Sequence, residues 1–152
     1  MLYDDNLEKA RSSDPARGAL QYVLQTLDGF FVASDASIML IEKNNAPFLN
    51  KYWADGLPVE CADDWPDWCN CLNYHTDSAV NFFDANNIKK YKNGLIDVNG
   101  FYISANCYKT ISDFIGSDIN IKTPENVGTA IYFYNDDKSR QALLMLKVDI
   151  NE

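Results

Sequence analysis

A chain of 152 residues with 47% apolar and 23% charged residues has the composition of one folded globular domain and not of a disordered segment. Its formal net charge of −9 argues against a nucleic-acid partner, since phosphate contacts need a basic stripe. The lysine cluster Lys89, Lys90 and Lys92 is too small to supply one. No apolar run reaches the ~20 residues of a membrane span, because Ser34, Asp35 and Ser37 interrupt Phe30 to Ile41. The first residues also lack the basic segment and apolar stretch of a secretion signal.

Residues 1–43 read as one long amphipathic helix. Tyr3 to Ala10 can begin it, with Ser12, Ser13 and Asp14 as cap residues and Pro15 at a first helical position or a kink. From there the apolar positions run Ala16, Ala19/Leu20, Val23/Leu24, Leu27 and Phe30/Phe31, a spacing of three and four. The pattern fades after Ile41 at Asn44-Asn45-Ala46-Pro47. Phe48 to Trp53 can add a helical turn, stopped by Gly56 and Pro58.

Residues 44–93 are expected to be irregular, anchored by Trp53, Trp65 and Trp68 and stapled by disulfides, with a short helix near Ser78 to Asn86. Cys61, Cys69, Cys71 and Cys107 form an even set, whose commonest meaning is two disulfides in an exported domain. Cys69 and Cys71 are too close in sequence to bond each other, so bridges from that pair to Cys61 and to Cys107 are expected, with connectivity open.

Residues 94–152 read as an antiparallel sheet. Asn93-Gly94 and Asn99-Gly100 are turn dipeptides. Phe101, Ile103, Ala105 and Cys107 alternate with Tyr102, Ser104, Asn106 and Tyr108. Ile131 and Phe133 alternate with Ala130, Tyr132 and Tyr134, and a turn at Asn135 to Lys138 leads to Leu144, Leu146, Val148 and Ile150. The fold class expected is therefore α+β, a long N-terminal helix packed on a small antiparallel sheet.

Chemistry-bearing residues are few. His75 follows Cys61, Cys69 and Cys71, a zinc-like mix, but without the closely spaced cysteine pairs that structural zinc sites show. A thiol nucleophile with His75 as base is disfavoured by the crowding of cysteines, which more often staple than react. Asp63, Asp64 and Asp67 lack calcium-loop spacing and read as a wet acidic loop. No phosphate-cradling glycine loop, nucleophile elbow or zinc-protease motif occurs. No catalytic residue, metal or cofactor is therefore assigned. Among the aromatic residues, Trp65 and Trp68 are the candidate partner-binding pair.

Tyr3, Lys9-Ala10-Arg11, Gly18-Ala19-Leu20, Leu24 and Leu27 together make the opening stretch resemble the helix of type IV pilins and of the related type II secretion pseudopilins. The resemblance implies a non-catalytic subunit of a cell-surface fibre, assembled from copies of itself or other pilins. It also implies an upstream hydrophobic half-helix, membrane insertion before assembly, and surface loops that determine adhesion. The competing expectation is a small binding module that uses the Trp/Cys loop to hold a carbohydrate or a protein partner.

Overall fold

The computed structural model describes residues 2–126 and 129–146. In chain order the elements are α1 (Asn6–Ala10), a 3₁₀ segment (Pro15–Gln21), β1 (Val23–Gln25), β2 (Phe30–Ser34), β3 (Ile38–Lys43), β4 (Tyr52–Ala54) and β5 (Leu57–Val59). There follow α2 (Trp68–Ser78), β6 (Asn81–Phe83), β7 (Lys89–Lys90), β8 (Leu95–Val98), β9 (Phe101–Ser104), α3 (Ala105–Ile115), β10 (Asn120–Thr123), β11 (Ala130–Tyr134) and β12 (Arg140–Met145). Nine strands form one sheet in the order β5-β4-β1-β2-β3-β12-β11-β10-β6, and β7-β8-β9 form a second. Every neighbouring pair is antiparallel. The molecule is dominated by antiparallel sheet, which overturns the expected long helix on a small sheet.

The central strands β2, β3, β11 and β12 of the large sheet are buried on both faces, and this explains why residues 1–43 do not form the expected helix. Phe31, Ala33, Ile38, Leu40, Phe133, Ala142 and Leu144 face one core. Val32, Met39, Ile41, Tyr132 and Leu143 face the other. A strand covered on both sides needs apolar residues at every position, so it shows no period of two. Short apolar runs broken by turns at Leu27-Asp28-Gly29 and Asp35-Ala36-Ser37 then mimic three- and four-residue spacing.

The turns themselves decide against the helix. Gly29 adopts φ +93° and donates to the Thr26 carbonyl at 3.3 Å, closing the hairpin between β1 and β2. An added Cβ there would stand 3.1 Å from Asn45 Oδ1. Asp35 accepts from the backbone N–H groups of Ser37 and Ile38, an Asx-type turn that starts β3. The start signal at Asp14-Pro15 was genuine, since Asp14 accepts from Ala16 N at 2.9 Å. It opens only the short 3₁₀ segment, which kinks at Gly18.

Elsewhere the outcome is mixed. The Asn99-Gly100 hairpin forms between β8 and β9, with both turn residues at positive φ. The β11–β12 hairpin forms as expected. The alternation expected through Cys107 and Tyr108 ends at Ser104, which caps α3 by accepting from Cys107 N. Residues 68–78 form α2 where loop was expected, whereas the helix expected near Ser78 to Asn86 is β6 and a short 3₁₀ turn. Phe48 to Trp53 leads into β4 and is not helical. Val148 and Ile150 lie outside the described residues.

The first core lies under α1, α3 and the small sheet; the second lies under the 3₁₀ segment, the Trp65 segment and α2. An ion network fastens the N-terminal segment across the first core. Arg140 and Glu42 are cross-strand partners, and the guanidinium reaches Asp4 Oδ2 at 2.7 Å, Glu42 Oε1 at 3.5 Å and the Phe114 carbonyl at 2.7 Å. It also lies 5.0 Å over the Phe114 ring. Burial pushes the Glu42 carboxyl up, since Glu42 is only 7% exposed. Burial alone would raise Asp4 too, but the Asn6 N–H and Arg140 outweigh it and hold that carboxyl low.

Two stability changes follow. Arg140→Met leaves the Glu42 carboxylate without its cation, and urea denaturation is expected to register a loss of about 2 kcal/mol, below the value for fully buried pairs because the site is partly wet. Gly100→Ala meets open space yet keeps a left-handed backbone. Its expected loss in the same assay is about 1 kcal/mol.

Candidate functional site

The second face carries the site because its cover is irregular. After β5 the chain returns over the sheet as Asp63-Asp64-Trp65-Pro66-Asp67 and enters α2. Three polar contacts fix this return. Tyr52 Oη donates to the Asp63 carbonyl at 2.6 Å and accepts from Trp65 N at 3.1 Å. Trp65 Nε1 donates to the Tyr22 carbonyl at 3.2 Å. Asp67 caps α2, accepting from Asn70 N and Asn70 Nδ2.

Between this return, the 3₁₀ segment and the turn joining β2 to β3 lies an apolar pocket of about 210 Å³. Its walls and floor are Leu20, Ile38, Met39, Trp65, Pro66, Trp68, Cys71, Leu143 and Met145, with Ser34, Ala36 and Asp67 at the remaining positions. Its few polar groups already have partners. Ser34 Oγ accepts from Ala36 N, and Asp67 is occupied at the helix cap. Met39 and Leu143 stand opposite each other across β3 and β12, so sheet register sets the floor.

The two candidate tryptophans thus come together, in unequal roles. Trp65 is buried at 8% exposure and forms a fixed wall. Trp68, at the first turn of α2, is half-buried and rests on Phe30 with ring centroids 5.4 Å apart. Of the other aromatic residues, Tyr132 is buried and stacks on Tyr134 at 4.9 Å, and Tyr108 packs against Phe133. Tyr102 is exposed beside Tyr91, far along the chain on the small sheet.

The four cysteines are free thiols. Cys61 and Cys71 pack against the second core, Cys107 against the first, so the large sheet stands between Cys107 and the others. The bridge expected from the Cys69/Cys71 pair to Cys107 is therefore not brought within reach. Among the described residues no three His, Cys, Asp or Glu side chains converge as metal ligands, so Cys61, Cys69, Cys71 and His75 form no ligand set.

Burial pushes the Cys71 thiol up, and burial together with Asp28 and Asp67 does the same to Cys69. Neither is poised as a thiolate. Cys71 and His75 are four residues apart on α2, and His75 Nδ1 is buried without a hydrogen-bond partner. Burial also depresses the His75 pKa.

The chain signalled part of this site. Trp65-Pro66-Asp67-Trp68 was legible as an anchor segment, but nothing along the chain marked Met39, Leu143, Met145 or Leu20 as its neighbours. Comparison with family models, curated proteins and solved structures finds no match for this chain.

His75 makes stability depend on pH with a definite sign. A histidine with a depressed folded pKa contributes fully above its unfolded value of about 6.5, and that contribution is lost as pH falls below it. Chemical denaturation of the native chain and of His75→Leu at neutral pH and about pH 5 is expected to show the native chain losing ground to the variant on acidification.

Proposed function

We propose that this chain is a non-catalytic binding module that holds one apolar group in the Trp65–Trp68 pocket. The observation that carries this reading is a pre-formed apolar cavity whose tryptophan wall is locked by backbone hydrogen bonds. Pre-organisation of this kind lowers the entropic cost of association.

Size selects the occupant. Pockets for drug-sized ligands and cofactors run to roughly 300–1,000 Å³, whereas an apolar cavity of about 150 Å³ takes a benzene. At about 210 Å³ this pocket suits a single aromatic or branched aliphatic group. Polarity disfavours the carbohydrate alternative, because the lining is almost wholly apolar and offers sugar hydroxyls only Ser34 and Asp67 as side-chain partners. The fold does not favour a pilin-like fibre subunit. That assembly depends on a long projecting helix, and the longest helices among the described residues, α2 and α3, each have 11 residues.

Toluene provides a direct test. Titration followed by heteronuclear NMR is expected to shift the indole resonances of Trp65 and Trp68 while leaving that of Trp53, in the other core, unchanged. Cys71 lines the pocket and Cys69 does not, so at ten times Kd toluene should slow alkylation of Cys71 about tenfold and leave Cys69 unaffected. Leu20→Trp, which fills the cavity, should abolish both effects. Unchanged indole signals and equal alkylation rates with and without toluene would overturn the proposal.

A further inference from the structure

Resting on that binding reading, we infer that the natural occupant is an apolar side chain carried on a basic segment of a protein partner. The pocket is apolar, but the carboxylates around it carry a consistent sign. Asp67 lines it directly. Asp35 sits beside Ala36 in the turn that forms one edge. Asp63 places its carboxylate against Gly18, in the same 3₁₀ segment as the lining residue Leu20. Asp28 lies farther out, on the side of Cys69, which neighbours Trp68 outside the lining itself.

These charges are not neutralised within the chain. Among the described residues none of Asp28, Asp35, Asp63 and Asp67 has a salt-bridge partner. Two nearby cations are paired with other carboxylates: Lys51 with Asp64 at 3.3 Å and Arg17 with Asp14 at 3.9 Å. Carboxylates clustered on one side of a surface repel one another, and a partner that brings lysine or arginine relieves that repulsion as its anchor enters.

The same field discriminates against other occupants. A second copy would bring a chain of net charge −9 against an acidic rim. An anionic lipid surface would meet like charge as well. A small neutral molecule satisfies the cavity but leaves the rim without a counterpart. A protein segment with one hydrophobic anchor and flanking cations matches both features, and steering by the rim raises its association rate.

Three labelled peptides of equal length separate these contributions: phenylalanine flanked by lysines, phenylalanine flanked by glycine and serine, and alanine flanked by lysines. Fluorescence anisotropy with the intact chain at about 50 mM salt is expected to show the first binding at least about tenfold more tightly than either other peptide. Its advantage over the neutral phenylalanine peptide should shrink to about twofold at about 300 mM salt, as screening shortens the reach of the rim. The double variant Asp28→Asn/Asp63→Asn should reduce that advantage at least about threefold while leaving the toluene response intact. Equal affinity of the basic and neutral phenylalanine peptides overturns the inference, and a surviving toluene response then keeps the pocket itself. Equal affinity of the phenylalanine and alanine basic peptides also overturns it, since the acidic rim would then be acting without the pocket. Loss of every toluene and peptide signal overturns the binding reading together with the inference.

Discussion

Burial of the central strands of one sheet on both faces is the constraint from which the rest of this structure follows. β2, β3, β11 and β12 present apolar side chains above and below the sheet, so two separate covers are needed. The hydrophobic effect scales with apolar area removed from water, and leaving either face open would forfeit much of the gain from strand pairing. On one side α1, α3 and the small sheet form a close layer over Phe31, Leu40, Ile131 and Phe133. On the other side the cover is a 3₁₀ segment, an irregular return and one helix of 11 residues. Such pieces do not tile a pleated surface completely. The pocket lies where the tiles leave a gap, and Trp65 and Trp68 define its sides.

The two faces also differ in how charge is handled. On the first, Arg140 reaches two carboxylates, a carbonyl and an aromatic ring, so the acidic groups of Asp4 and Glu42 are answered from within the chain. That arrangement fastens the first residues to strands that lie far away in sequence, and its role is structural. On the second face, among the described residues, Asp28, Asp35, Asp63 and Asp67 have no salt bridge. One end of the fold satisfies its own electrostatics. The other leaves carboxylates without salt bridges beside an apolar cavity, which is the contrast on which the proposed recognition role rests.

Local chemistry was readable along the chain wherever a few adjacent residues decide the conformation. Asn99-Gly100 produces its tight hairpin because both residues tolerate positive φ, and Asp14-Pro15 opens a helical turn because its carboxylate reaches a free N–H. The alternation of Ala130 to Tyr134 marked a strand, and the segment through Trp65 and Trp68 stood out as an anchor. Composition placed the chain among folded globular proteins.

Only the tertiary structure decided what Val23 to Ile41 would become. Three- and four-residue spacing is compatible with one amphipathic helix and equally with short strands buried on both sides. The choice rests on whether distant β11 and β12 supply partners and a second core. The helix at Ala105 was hidden for a related reason, since Phe101 to Cys107 alternates through a cap that ends one element and starts another. The pocket was hidden most fully. Its floor pairs Met39 with Leu143 across more than a hundred residues of chain, a proximity created by strand register and carried by no local pattern.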